Sequence, residues 1–212
     1  AGQLLVAGFE GTEPSAEILE LIREGLGGVI LYRKNCADAA QVLRLTSRLQ
    51  QAARAAGHPQ PLLIAIDQEQ GRVARLTEGV TLFPPMAAIA RAGDPGLVAR
   101  VAAVTGRELL ALGVNWNLAP VADVLSAPDC PIGDRSFGAD AAQVSAMVAA
   151  YARGAASAAM RCCAKHFPGH GSTGKDSHVA APLVARSRAE LDAVDLAPFR
   201  AAIAAGVPAV MS

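Results

Sequence analysis

Gly8-Phe9-Glu10-Gly11-Thr12-Glu13 follows the first β-like run of the chain and separates two candidate folds. Around it, short apolar runs alternate with longer amphipathic stretches, which predicts a parallel α/β architecture. Two folds of that class compete. A doubly wound nucleotide-binding sheet carries G-x-G-x-x-G after its first strand, so that the backbone can approach a pyrophosphate. Here the third glycine is missing and two acids, Glu10 and Glu13, stand in the turn. The polar clusters instead follow several different strands: Asp67 after the third, Asn117 to Asp123 after the fourth, Lys165 and His166 after the fifth. Such a distribution is expected at the C-terminal mouth of a (β/α)8 barrel. The expected fold is therefore an α/β barrel of the TIM type.

The candidate strands are residues 4–8, 28–32, 62–66, 114–119, 161–165 and 208–211. Most are apolar through the middle rather than alternating, as parallel strands covered on both faces are. Helix starts are marked between them. Asp94 before Pro95 reads as an N-cap and first-turn proline for a helix to about residue 112. Asp140 caps a helix to about residue 159, and Ser187 with Glu190 forms a capping box for one to about residue 204. Only six βα units can be counted, and the sequence reads as one barrel domain, residues 1–212, with its last two units missing.

Composition narrows the function. Lys plus Arg and Asp plus Glu number 19 each, so the net charge is zero and no basic stripe offers itself to nucleic acid. No apolar run approaches the roughly 20 residues that cross a membrane. The expected partner is a small neutral or modestly charged ligand; oligomeric state is left open. Cys162 and Cys163 are adjacent, and no C-x-x-C pair occurs. That pattern points to a reduced and hence cytoplasmic protein, with a trimmed leader as the alternative.

The densest chemistry is Lys165-His166-Phe167-Pro168-Gly169-His170-Gly171, followed by Asp176-Ser177-His178. Proline and glycine oppose a helix here, so His166 and His170, four apart, lose the helical spacing that would suit zinc. Asp176 and His178 are two apart, and in an extended loop they point to one side. A carboxylate beside an imidazole fixes its tautomer and stabilises its protonated form, and an imidazole can move a proton near neutral pH. The plainer alternative is a turn aspartate beside a hydrogen-bonded loop histidine.

A second constellation runs Asp67-Gln68-Glu69-Gln70-Gly71-Arg72-Val73-Ala74-Arg75. Carboxylates at a strand's C-terminal end suit paired acceptance from sugar hydroxyls, whereas the same residues on a surface would be an ordinary ion-pair cluster. A third is Asn117 to Asp123, continuing to Gly133-Asp134-Arg135-Ser136, where Asp134 would pair Arg135 or cap the next helix.

Taken in order, these segments resemble the N-terminal barrel of family 3 glycoside hydrolases, in particular the β-N-acetylhexosaminidases of peptidoglycan recycling. The Lys165 to His178 stretch is the most specific part, because family 3 β-glucosidases lack the Gly-His-Gly and Asp-Ser-His loop. The resemblance implies a retaining glycosidase that removes terminal β-linked N-acetylglucosamine from amino-sugar or muropeptide substrates. It places the sugar against Asp67, Arg75, Arg135, Lys165 and His166. It makes His178 the general acid/base, oriented by Asp176, in place of the usual second carboxylic acid. It implies no cofactor and no metal, and it puts the attacking aspartate some tens of residues beyond Ser212. One departure stands out: Gln70 occupies a position where the family usually has glycine. Two other readings compete, a sugar-binding protein without catalysis and a metal-dependent barrel hydrolase built on His166, His170, Asp176 and His178.

Overall fold

A computed structural model of the chain describes residues 2–174 and 183–212. After a 3-10 turn at Gly2–Leu4 the elements run β1 (Val6–Ala7), α1 (Ala16–Arg23), β2 (Gly28–Leu31) and α2 (Ala39–Ala55). Next come β3 (Leu63–Ile66), the short β4 (Gln68–Gln70) and β5 (Val73–Ala74), α3 (Met86–Ala90) and α4 (Pro95–Ala111). β6 (Trp116–Asn117), α5 (Ala141–Ser157), β7 (Arg161–Lys165), α6 (Arg188–Glu190), α7 (Ala197–Ala204) and β8 (Ala209–Met211) complete the described order.

Six strands form one sheet in the order β1-β2-β3-β6-β7-β8, and every pairing in it is parallel. The sheet curls into a half-barrel, the α/β architecture read from the sequence. Alternation along the strands builds two apolar layers. In β3, Ile64 and Ile66 are buried in the main core with the helices, among Leu45, Leu49 and Leu109. Ala65, between them, belongs to a separate small cluster with Leu118 and Cys163, packed by Ile30, Trp116, Ala209 and Met211. Each fully buried Leu or Ile contributes about 1.5–3 kcal/mol, so the helix-facing layer carries most of the stabilisation. β2 and β3 approach closely because Gly28 lacks a side chain: a Cβ there would lie 2.9 Å from both Leu63 Cβ and Leu63 O.

The helix starts follow their caps. Asp38 accepts from Gln41 N (2.8 Å), Asp94 from Gly96 N (2.7 Å) and Asp140 from Gln143 N (2.7 Å), each satisfying an otherwise orphaned donor.

Three elements differ from expectation. Residues 4–8 give only Val6–Ala7, because Gly2 O accepts from both Leu5 N and Gly27 N and ties the start of the run into a turn. Residues 114–119 give only Trp116–Asn117. The chain beyond continues beside β7, through Ala119 O to Cys163 N and Pro120 O to Lys165 N, but Pro120 has no N–H to return. The Ser187–Glu190 capping box is present, yet the helix after it is interrupted by a π turn at Leu191–Asp195 and restarts at Ala197. Pro198 stands in the first turn of α7, where a missing N–H is tolerated and continuation from upstream is not.

Candidate active site

β3 ends at Ile66, so Asp67 emerges at the C-terminal rim of the sheet. The chain then folds into the β4–β5 hairpin, and three buried amides hold it there. Asn117 of β6 clamps the Gln68 peptide from both sides, accepting from Gln68 N and donating to Gln68 O, each at 3.1 Å. The Gln68 side chain accepts from Arg75 N (3.0 Å) and Leu76 N (3.2 Å), which fixes where Arg75 starts. Gln70 is the residue in place of the usual glycine, and it takes a left-handed φ of 80°. Its amide compensates by donating to Thr105 Oγ1 (3.0 Å) and accepting from Phe83 N (3.1 Å).

Asp67 and Glu69 flank the clamped residue and both reach Lys165 at the end of β7. Lys165 Nζ lies 2.7 Å from Asp67 Oδ1 and 2.6 Å from Glu69 Oε1. Arg135, delivered by the 3-10 turn Gly133–Arg135, grips Glu69 with two parallel bonds of 2.8 Å. Arg75 reaches Asp67 Oδ2 at 3.3 Å. Here the ordinary surface reading fails, since the side chains of Lys165 and Glu69 are only 3% and 2% exposed. The plain alternative for Asp134, pairing with Arg135, is not formed either. Asp134 pairs Arg72 instead (2.9 Å), and Arg72 donates to Pro131 O and Ile132 O, both at 2.7 Å.

The cluster is ionised by its own geometry. Burial disfavours the Asp67 carboxylate, but the Lys165 ammonium and then Arg75 outweigh it and hold its carboxyl below the usual range. Glu69 is likewise lowered: burial opposes its charge, and Arg135 and Lys165 overcome the penalty.

His166 is anchored from beneath by Asp123, whose side chain is wholly buried. Asp123 Oδ2 is 2.7 Å from His166 Nδ1, while Oδ1 accepts from His166 N (3.2 Å) and His170 N (2.7 Å). The other ring nitrogen of His166, Nε2, is 3.4 Å from an Arg135 guanidinium nitrogen. Asp67, Arg75, Arg135, Lys165 and His166 thus come together on one open cavity of about 570 Å³, with Tyr32 also lining it.

Asp176 and His178 lie outside the described residues. On either side of that segment, Ser172 donates to Asp195 and Arg186 Nε lies 3.4 Å from it, with Asp195 buried. Among the described residues no group of three His, Cys, Asp or Glu side chains is placed to hold a metal ion, and the metal reading needs Asp176 and His178. The cysteines are unbridged, and burial pushes the Cys36 and Cys163 thiols up to about 11 and Cys162 to about 12. No described helix is long and apolar enough to cross a membrane.

Two residues absent from the sugar contacts that the resemblance implies prove central, Glu69 and Asp123. The i, i+2 spacing of Asp67 and Glu69 was the available signal for the first. Asp123 closes the polar cluster after the fourth strand, but its partners lie 43 and 47 residues away and its role is not readable locally.

A family model described as the glycosyl hydrolase family 3 N terminal domain matches residues 1–212. The beta-hexosaminidase of Xylella fastidiosa (strain M23) is 39% identical over 215 residues, covering 98% of this chain and 62% of that protein. That of Stenotrophomonas maltophilia (strain K279a) is 40% identical over 215 residues, with the same coverage. The chain therefore spans 62% of the length of these curated relatives. Among solved structures, a family 3 β-N-acetylglucosaminidase from Paenibacillus sp. FPU-7 superposes with a TM-score of 0.97 at 48% identity, over 100% of this chain and 40% of that one. NagZ from Neisseria gonorrhoeae in complex with N-trifluoroacetyl-D-glucosamine gives 0.89 at 33% identity, over 98% and 62%.

Proposed function

The chain belongs to glycosyl hydrolase family 3, and on that premise we propose that residues 1–212 are the N-terminal catalytic barrel domain of a retaining exo-β-N-acetylhexosaminidase. Its substrate is terminal, non-reducing β-linked N-acetylglucosamine on peptidoglycan-derived or related amino sugars. A cytoplasmic recycling setting belongs to the same proposal.

The observation that carries it is the Asp67–Lys165–Glu69–Arg135 cluster on the cavity at the strand ends. A neutral sugar needs donors and acceptors fixed in place, and buried ion pairs supply both without reorganising. Asp67 offers an ionised acceptor, Arg75, Arg135 and Lys165 offer donors, and His166 faces the same space. The names of the relatives, beta-hexosaminidase and β-N-acetylglucosaminidase, support the N-acetylated sugar as ligand.

In this reading the ordered cluster holds the sugar while His178, oriented by Asp176, protonates the departing oxygen. A carboxylate that the resemblance puts after Ser212 attacks the anomeric carbon and forms a glycosyl-enzyme ester. His178 then takes a proton from water, which displaces the ester and releases the sugar with retained configuration.

Release of nitrophenol from aryl β-N-acetylglucosaminide by the full-length protein, with aryl β-glucoside alongside, tests the proposal. Turnover of the N-acetyl substrate alone supports it. Equal turnover of both, or of the glucoside only, would contradict the assigned specificity.

A further inference from the structure

We infer that Asp123 is a positioning residue that fixes the tautomer of His166, so that the ring presents an unprotonated Nε2 beside Arg135 at the cavity, an acceptor that a sugar hydroxyl reaches by displacing the long Arg135 contact. The inference rests on the glycosidase reading only for the identity of the ligand; the tautomer itself follows from the geometry.

Asp123 comes from the loop after β6 and is completely enclosed. A carboxylate can only accept, and this one meets three nitrogens: His166 N, His170 N and His166 Nδ1. The two backbone groups are donors by necessity. Nδ1 must then carry its proton as well, or two lone pairs would face each other at 2.7 Å. On the far side of the ring, Nε2 lies 3.4 Å from an Arg135 nitrogen, and a guanidinium has donors only. A proton on Nε2 would set donor against donor there. Asp123 requires the proton on Nδ1, and the Arg135 donor selects the lone pair on Nε2, which points toward Arg135 at the edge of the cavity.

The arrangement has consequences for recognition. Asp67 and Glu69 are already engaged by Lys165 and the two arginines, which also leave the cavity rich in donors. His166 adds an acceptor on the Arg135 side of that cavity. The hydroxyl that meets it must donate, so a substituent that only accepts is rejected there. Asp123→Asn reverses the polarity. The amide oxygen can still accept from His166 N and His170 N, but its NH2 then points at Nδ1 and drives the proton to Nε2.

The test is a ¹⁵N–¹H correlation spectrum of the full-length protein labelled at histidine, with His166 assigned from the signals lost in His166→Gln. Only four histidines occur in residues 1–212, which keeps the assignment tractable. The expected wild-type pattern is a protonated Nδ1 and a bare Nε2, inverted in Asp123→Asn. In the same variant kcat/KM on aryl β-N-acetylglucosaminide falls roughly 10- to 100-fold. Across a set of monofluorinated N-acetylglucosamines, one position is penalised in wild type and no longer penalised in Asp123→Asn. A wild-type His166 protonated at Nε2 overturns the inference. So does a folded Asp123→Asn with the tautomer unchanged. Where Asp123→Asn does not fold, the wild-type spectrum decides alone. Absence of any N-acetylglucosamine binding by wild type defeats the proposed function, while the spectrum still decides the tautomer.

Discussion

Lys165 closes 98 residues of chain by holding Asp67 at 2.7 Å, and this one contact joins the ends of β3 and β7 at the mouth of the half-barrel. Its ammonium also holds Glu69, and together with Arg75 and Arg135 it lets two carboxylates share one buried site. Fold and site are coupled at this point.

Removing the ammonium tests that coupling. Lys165→Met keeps the volume of the side chain but leaves Asp67 and Glu69 with one arginine each. The expected cost is about 3–5 kcal/mol in urea unfolding, the penalty for breaking a buried pair from one side. Loss of less than about 1 kcal/mol would show that the two carboxylates do not depend on Lys165.

The same cluster sets an acid limit. Asp67 and Glu69 have ordinary values of 3.8 and 4.5, and both are lowered in the folded chain. Lowered carboxylates add stability that is complete above those ordinary values and is lost as pH falls through the folded ones. Unfolding free energy should therefore be level from neutral pH to about pH 5 and decline steeply below about pH 4. In Glu69→Gln the decline should be shallower, because one of the linked protons is gone. An equal slope in wild type and variant would exclude Glu69 as a source.

Gln70 separates backbone strain from hydrogen bonding. Both Gln70→Ala and Gln70→Gly lose the bonds to Thr105 and Phe83. Only alanine keeps the penalty of a left-handed φ, so glycine should be the less destabilising by about 1 kcal/mol. Alanine equal to or better than glycine would mean that the turn at residue 70 relaxes out of its positive φ.

His178→Ala follows from the proposed mechanism. Its kcat on natural glycosides should fall by about 100-fold or more, with N-acetylglucosamine affinity within about 0.5 kcal/mol of wild type. Full turnover would remove His178 from the acid/base role.

Much of this was legible because it rests on local physical rules. Apolar centres marked strands β2, β3 and β7 to within a residue, and Asp94-Pro95 and Asp140 marked α4 and α5 through their side-chain caps. The five residues that the resemblance set against the sugar all line one cavity at the sheet rim. What escaped depends on long-range pairing. The partners of Arg72 and Arg135 lie 62 and 66 residues away, so proximity in sequence offered only the plain alternative of Asp134 beside Arg135 or as a helix cap. The shortening of β6 needed knowledge that Pro120 lies beside β7. The role of Asp123 came from a carboxylate enclosed by three donors, which no spacing announces.

The central claim is that the Asp67–Lys165–Glu69–Arg135 cluster is a sugar site. Calorimetric titration of N-acetylglucosamine into the full-length protein, in wild type and in Asp67→Asn, tests it most directly. The account predicts measurable binding by wild type and a loss of about 1.5–3 kcal/mol in Asp67→Asn, the worth of a hydrogen bond to a charged acceptor. Equal affinity in the two proteins, or no binding by wild type, would contradict it.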